Sequence, residues 1–258
     1  MTEKLLLIRL MKIKLGWAGL TATRFKKKYG IGYKAASDEL IYDFALKRLH
    51  PILPENEEVI KRSDWDLDGL VGETEKQLFH PHYDILKEHI FNNHKRQHDI
   101  LVIFECSNAK PYNSNKILNW YMKKYKDIAD FACITNPGIV PMEYSNYYPY
   151  RYDEWNHFKE TQEIEDLYVK VNTERFFEYV KHFGYKEVVV CMQHPRPRRL
   201  FDEMSNPHVH LVIDAAFQQM MLDKYTPTFG HKGLVYSRML VMKETKNRFD
   251  EVISNLIR

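Results

Sequence analysis

The chain has 258 residues, 44% hydrophobic and 28% charged, the composition of a folded protein of one large domain or two small ones. A net charge of +3 does not demand a polyanionic partner, and 10 glycines with no G-x-G-x-x-G exclude a dinucleotide-type glycine loop. The three cysteines, Cys106, Cys133 and Cys191, form no C-x-x-C, which argues against a zinc ribbon; an odd number in apolar runs fits a reducing compartment.

Residues 1–97 read as mainly helical and irregular. The opening run LLLIRLMKIKL carries Arg9, Lys12 and Lys14 and has no small-residue cleavage site, unlike a secretory signal. No stretch approaches the length of a membrane span, so a cytoplasmic protein is expected. Arg24, Lys26, Lys27, Lys28 and Lys34 cluster next, either as a solvated face or as a grip for phosphates. Ser37 is placed to cap a helix through SDELIYDFALKRLH, with Ile41, Phe44, Ala45 and Leu49 on one face and Pro51 and Pro54 ending it. Thr74 opens another helical stretch, interrupted at Pro81. It resumes through HYDILKEHIFNNHKR, with Ile85, Leu86, His89 and Ile90 at helical spacing.

From residue 98 strands and helices alternate. The pattern predicts strands over Ile100–Phe104, Asp130–Thr135, Glu187–Met192 and His208–Ile213. It predicts helices over Asn115–Tyr125 and Glu163–Phe183, the second closed by Gly184 at a C-cap position. The tail from Tyr236 to Ile257 reads as strand or turn and then helix. This order implies an α/β fold: a doubly wound, mostly parallel sheet flanked by helices, with a mainly helical N-terminal region. The chain divides into residues 1–97, with no function assigned, and an α/β core of residues 98–258. The boundary is a change of composition, not a linker, so the two parts can pack as one body.

Five apolar residues, Ile100–Phe104, between polar flanks suit a parallel strand buried on both faces. Such a strand ends at the carboxyl edge of its sheet, where α/β proteins bind ligands, and delivers Cys106, Ser107 and Lys110 there. Two further loops are expected at the same edge. Asn136–Trp155, NPGIVPMEYSNYYPYRYDEW, is long, rich in Pro and Tyr and without strong periodicity, as loops that serve a site often are. Gln193–Arg199, QHPRPRR, brings Arg196, Arg198 and Arg199.

These segments resemble the core catalytic domain of archaeosine synthase, a relative of the tRNA-guanine transglycosylases. That family's motif reads Pro-Cys, three residues, Lys-Pro-Tyr, two residues, Ser, two residues, His. Cys106, Lys110, Pro111 and Tyr112 stand at the matching places. A second family segment, S-P-L-G-I-V-P-x-E-L followed by Y-P-x-x-x-Y-D, is matched by NPGIVPMEY and YPYRYD. The matching residues are Pro137, Gly138, Ile139, Val140, Pro141, Glu143, Tyr148, Pro149, Tyr152 and Asp153. The resemblance covers residues 98 to 192. Three positions depart from it: Glu105 replaces the proline, Asn115 stands for Ser with Ser114 adjacent, and Leu118 stands for His. If that histidine moves protons in the family, this chain uses another group or a different reaction.

The resemblance implies a transferase that modifies a nitrile-bearing 7-deazaguanine base in tRNA or DNA. It adds an amine, from an amino acid such as lysine or from ammonia, to form an amidine, with no cofactor or metal. The residue types suit this chemistry, because a thiolate is a strong nucleophile and a nearby ammonium favours it. Cys106 is expected to add to the nitrile carbon, giving a thioimide, with Lys110 or Tyr112 protonating the nitrile nitrogen. Asp153 or Glu143 would hold the amine or the base edge. Ser107, Asn108, Asn113, Ser114, Asn136, Gly138 and Tyr152 join Glu143 as the expected substrate-binding set. Arg196, Arg198 and Arg199, with Lys26, Lys27 and Lys28, are the expected nucleic-acid contacts. The Tyr144–Tyr152 segment either stacks bases or packs beneath the loop. Cys133 and Cys191 are expected to be buried and without chemistry.

Other patterns compete. His208-Val209-His210 on a strand puts both imidazoles on one side. This resembles the His-hydrophobic-His metal motif of rolling-circle replication nucleases, which use an antiparallel sheet. His80, His82, His89, His94 and His98, spaced by two, seven, five and four residues, make no single helical face. A non-catalytic nucleic-acid-binding module of the same fold is the remaining alternative, favoured by the missing histidine.

Overall fold

The N-terminal region is helical, as its pattern predicts. In this computed structural model, which describes residues 2–17, 19–49, 59–106, 112–155, 159–202 and 204–257, it opens with α1 (Glu3–Trp17), α2 (Gly19–Tyr29) and α3 (Asp38–Leu46). Ser37 caps α3, its side chain accepting from the Leu40 N–H at 3.4 Å. Leu6, Leu7, Leu10, Met11 and Leu15 of α1 are buried with Phe25, Ile41 and Phe44. The charges that set the opening run apart from a signal peptide lie off this stripe: Lys12 pairs with Asp38 and Arg9 with Asp68. Among the described residues no helix is long and apolar enough to cross a membrane.

A two-residue strand β1 (Val71–Gly72), α4 (Glu75–Leu78) and α5 (Pro81–Asn93) follow. Thr74 and Gln77 form a capping box on α4. Pro81 opens α5, where its missing N–H costs nothing, so it starts a helix instead of merely breaking one. Tyr83, Leu86 and Ile90 make the buried stripe of α5; Ile85, assigned to that face by spacing, is exposed.

The core sheet comprises β2 (Ile100–Glu105), β3 (Ala129–Thr135), β4 (Gly138–Pro141), then, beyond β5 (Glu154–Trp155), β6 (Glu187–Cys191) and β7 (Val209–Leu211). Its order is β4-β3-β2-β6-β7, parallel except for the β3–β4 hairpin. β5 pairs separately with β1. The helices are α6 (Lys116–Tyr125), α7 (Gln162–Phe183), α8 (Pro195–Asp202), α9 (Ala215–Phe229), α10 (Lys232–Arg238) and α11 (Lys243–Leu256). The fold is therefore mixed α/β with a mostly parallel, doubly wound sheet.

Every residue of β2 is buried. Ile100, Val102 and Phe104 pack with Leu118 and Tyr121 of α6, Met221 of α9 and Phe249 of α11. Leu101 and Ile103 pack with Tyr168, Phe176 and Tyr179 of α7. The period-2 alternation thus feeds two cores. α6 carries the chain from β2 to β3 on one face, and α7 returns across the other face to β6 on the far side of β2. This reversal falls at the carboxyl ends of β2 and β6, the position at which open α/β sheets place their ligand crevice.

Three expectations change. The Asn136–Trp155 loop contains β4, whose four residues are too few to show alternation; the turn into it uses Gly138 at φ +113°. QHPRPRR is largely helix α8, which starts at Pro195. The predicted His208–Ile213 strand shortens to β7. The tail follows the turn-then-helix reading, a 3-10 turn at Met239–Val241 leading from the end of α10 into α11. The Tyr-rich segment packs: Tyr148, Tyr150 and Tyr152 are buried with the N-terminal helices, and Tyr148 stacks on Trp65 at 4.7 Å between ring centroids. One hydrophobic core therefore joins the N-terminal region to residues 140–152.

α7 ends at Gly184, with φ +67° and its N–H donating to the Val180 carbonyl. Nothing lies within 4 Å of a Cβ built there, so Gly184→Ala meets only the backbone cost of the left-handed region. A loss of about 1 kcal/mol is expected by urea denaturation.

Candidate active site

Cys106 follows the last residue of β2 and is exposed, whereas Cys133 and Cys191 are buried in the sheet. The register pairs Glu105 with Ile134 of β3 and Phe104 with Cys191 of β6. Continued by one or two positions, it sets Cys106 level with Thr135 on one side and Gln193 on the other. The crevice between β2 and β6 therefore opens beside Cys106 and the residues after Cys191.

Tyr112 comes back to this cysteine. Its hydroxyl lies 3.3 Å from Cys106 Sγ, and its N–H donates to Ser145 Oγ at 3.2 Å. The phenol is fully buried, and burial first, then the charges of Cys106 and Asp153, push its pKa well above the ordinary tyrosine range. Tyr112 thus stays protonated and can donate to a Cys106 thiolate. Asp153, buried, accepts from Thr135 Oγ1 at 2.6 Å and from Asn136 Nδ2 at 3.5 Å. Cys106, Tyr112, Asp153 and Asn136 are so gathered at the carboxyl edge, joining the two sequence motifs. Ser107, Asn108 and Lys110 lie outside the described residues, as does the side chain of Asn113. Ser114 Oγ is buried without a hydrogen-bond partner among the described residues.

Other expected site residues do structural work. Gly138 lies against Arg175, whose side chain is 3.1 Å from a Cβ built at the glycine; Arg175 donates to the carbonyls of Asn136 and Leu78. Tyr152 belongs to the N-terminal core, its ring 5.3 Å from that of Trp65. Glu143 follows β4, which runs back from the carboxyl edge by about 10 Å over three residue steps. It is paired with His94 of α5 at 2.7 Å.

The arginines are engaged by carboxylates. Arg196 makes a two-point pair with Glu160, whose side chain is only 3% exposed, and its guanidinium lies 3.8 Å from the centroid of the Tyr168 ring. Arg198 is buried and pairs with Asp202 at 2.8 Å; Arg199 bonds Glu165 and Asp166. This cluster ties α8 to its surroundings. Lys26, Lys27 and Lys28 are exposed in the last turn of α2, with Lys28 2.7 Å from Asp43. Leu118, standing for the family histidine, is buried in the core beneath α6.

His208 and His210 do share one side, and both meet Glu187, at 3.0 and 2.7 Å. His208 precedes β7 and His210 is its middle residue, level with Val189, and both imidazoles reach Glu187 at the amino end of β6, the end away from Cys106. No group of three His, Cys, Asp or Glu residues among those described could hold a metal. The five earlier histidines form no single cluster: His80 and His82 touch, with ring centroids 4.9 Å apart, but His80 meets Asp66 at 3.5 Å, His82 meets Tyr148 Oη at 2.7 Å, and His98 meets the Lys126 carbonyl at 3.0 Å. His94 pairs with Glu143, as above, and His89 receives Asn93 on its carbonyl at 2.8 Å.

Sequence reasoning missed the pair Glu105–His194. Glu105, 8% exposed, accepts from the His194 N–H at 3.0 Å and meets His194 Nδ1 at 2.6 Å. Burial opposes charge on the imidazole, but the Glu105 carboxylate outweighs it and holds its pKa above the ordinary value. The signal in the sequence was a glutamate ending an otherwise apolar strand. Because the histidine pKa is raised on folding, the pair stabilises the fold below the ordinary histidine pKa, and this is lost as pH rises through the raised value. Urea denaturation at about pH 5.5 and about pH 9 should show a smaller loss between the two for Glu105→Gln than for the wild type.

The sequence profile described as a domain of unknown function, DUF5591, matches residues 86–226, more than half of the chain. A crystal structure of AF0587, a protein of unknown function, is similar at 14% identity with a TM-score of 0.37. The match covers 64% of this chain and 48% of that one, so this chain spans about half the length of that relative. No curated protein matches the chain.

Proposed function

The chain belongs to the DUF5591 family, and we propose that it is a thiol-dependent base-modifying transferase. Its substrate is a 7-cyano-7-deazaguanine-type base in tRNA or DNA, and it adds an amine to the nitrile to give an amidine. The observation that carries this reading is the Cys106–Tyr112 contact of 3.3 Å, which brings together the first and last residues of the Cys-x3-Lys-Pro-Tyr motif beyond the carboxyl end of β2. In the reaction the Cys106 thiolate adds to the nitrile carbon. Tyr112, held as a phenol, stabilises the thiolate before attack and again when it leaves. The amine then adds to the thioimide carbon, and the C–S bond breaks to release the amidine. Asp153 orients Thr135 and Asn136 beside the reacting sulfur and offers a carboxylate toward the amine or the base edge. Lysine or ammonia serves as the donor.

Lys26 and Lys27 support a polynucleotide substrate, being exposed and at a helix end; Lys28, paired with Asp43, and the Arg196–Arg199 cluster lend less, since each of these cations already holds a carboxylate. Incubation with 7-cyano-7-deazaguanine, followed by mass spectrometry of the peptides, tests the reading. A mass increase on the Cys106 peptide, absent in Cys106→Ala, is expected; an unmodified Cys106 under all conditions would exclude the thioimide route.

A further inference from the structure

We propose that Glu105 and His194 form the proton-transfer pair of this site, with His194 exchanging a proton through Nε2 with the nitrile nitrogen and then with the incoming amine. The inference rests on the thioimide reading above.

The geometry carries it. Glu105 closes β2 and His194 follows β6, so the pair spans the two strand ends that flank the crevice. Both carboxylate oxygens are held by the one residue, through its backbone N–H and through Nδ1. The bond at Nδ1 fixes the ring and leaves Nε2, on its other side, as the nitrogen free to exchange. Burial is unequal: the Glu105 side chain is 9% exposed and that of His194 is 48% exposed. The half-open imidazole can reach a bound molecule, as an acid–base group must.

Among the described residues, the groups that contact His194 are Glu105 from β2 and the ring of Tyr236 from α10, 5.7 Å away between centroids. Behind Glu105 lies Cys191, whose thiol burial keeps neutral, with the Glu105 charge adding to the effect. Gln193, next to His194, is anchored through its carbonyl by Gln218 Nε2 at 2.7 Å. Its own Oε1 is buried with no hydrogen-bond partner among the described residues, a condition that a donor on a bound base or amine relieves.

The steps balance. As Sγ bonds to the nitrile carbon, one π bond of the nitrile breaks and its nitrogen takes the proton from Nε2, leaving a neutral imidazole. The amine then adds to the same carbon as the C=N π pair shifts onto the former nitrile nitrogen, and the amine gives one N–H proton to Nε2. The C=N bond reforms as the C–S bond breaks, and that bond's electron pair returns to sulfur. The sum is nitrile plus amine to amidine, and His194 ends protonated, as it began.

The test compares wild type, His194→Gln and Glu105→Gln across pH. One readout is the rate of the nitrile adduct at Cys106. The control is alkylation of Cys106 by iodoacetamide, which needs no proton donor. His194→Gln should slow the adduct by about 10²-fold or more, the scale of general acid catalysis, and leave alkylation at the wild-type rate. In Glu105→Gln the fall of adduct rate at high pH, where the imidazolium is lost, should move to lower pH. An adduct rate unchanged in His194→Gln overturns the proposal. So does a wild-type pH profile in Glu105→Gln, or an equal loss of adduct and alkylation. A wild-type chain that alkylates at Cys106 but never forms the nitrile adduct removes the thioimide reading itself, and this role with it.

Discussion

Ile100–Glu105 is buried on both faces, and a strand in that state has parallel neighbours on each side and helices above and below. Those helices cross in opposite senses, α6 toward β3 and α7 toward β6, because one apolar face of β2 serves each. The reversal falls at the carboxyl end of β2, the position at which α/β sheets bind ligands, and the residues emerging there are Glu105 and Cys106. The placement of the candidate site therefore follows from how one six-residue strand is buried. Shortening any of its side chains would leave a cavity at the centre of two cores.

Charge is distributed by the same constraint. Each arginine of α8 is held by a carboxylate: Arg196 on Glu160, Arg198 on Asp202, Arg199 on Glu165 and Asp166. Buried charges are expensive unless paired, so a run of arginines in a chain with a near-neutral balance reads as internal wiring. Glu105 follows this rule with a difference. Its partner is a histidine, whose charge responds to pH near neutrality, and that partner stands half in solvent.

Much of this was legible in the residues. The apolar run of β2, the Ser37 cap, the Gly184 end of α7 and the alternation after residue 98 each carry a local signal strong enough to survive folding. β4 did not, being four residues long and opened by Gly138 in a positive-φ turn. Nor did α8, since PRPRR shows no apolar period, although Pro at the first position suits a helix start. Of the site, Cys106, Tyr112 and Asp153 were within reach because motifs mark them. The burial of Tyr152, the withdrawal of Glu143 along β4 and the meeting of Glu105 with His194 depend on contacts between residues far apart in sequence, which no local pattern encodes.

The most direct measurement is a crystal structure of the chain with 7-cyano-7-deazaguanine. Continuous density from Cys106 Sγ to the former nitrile carbon, with the base in the crevice between β2 and β6, is the expected result. The base seated at the opposite edge, beside Glu187, His208 and His210, with Cys106 unmodified, would contradict it.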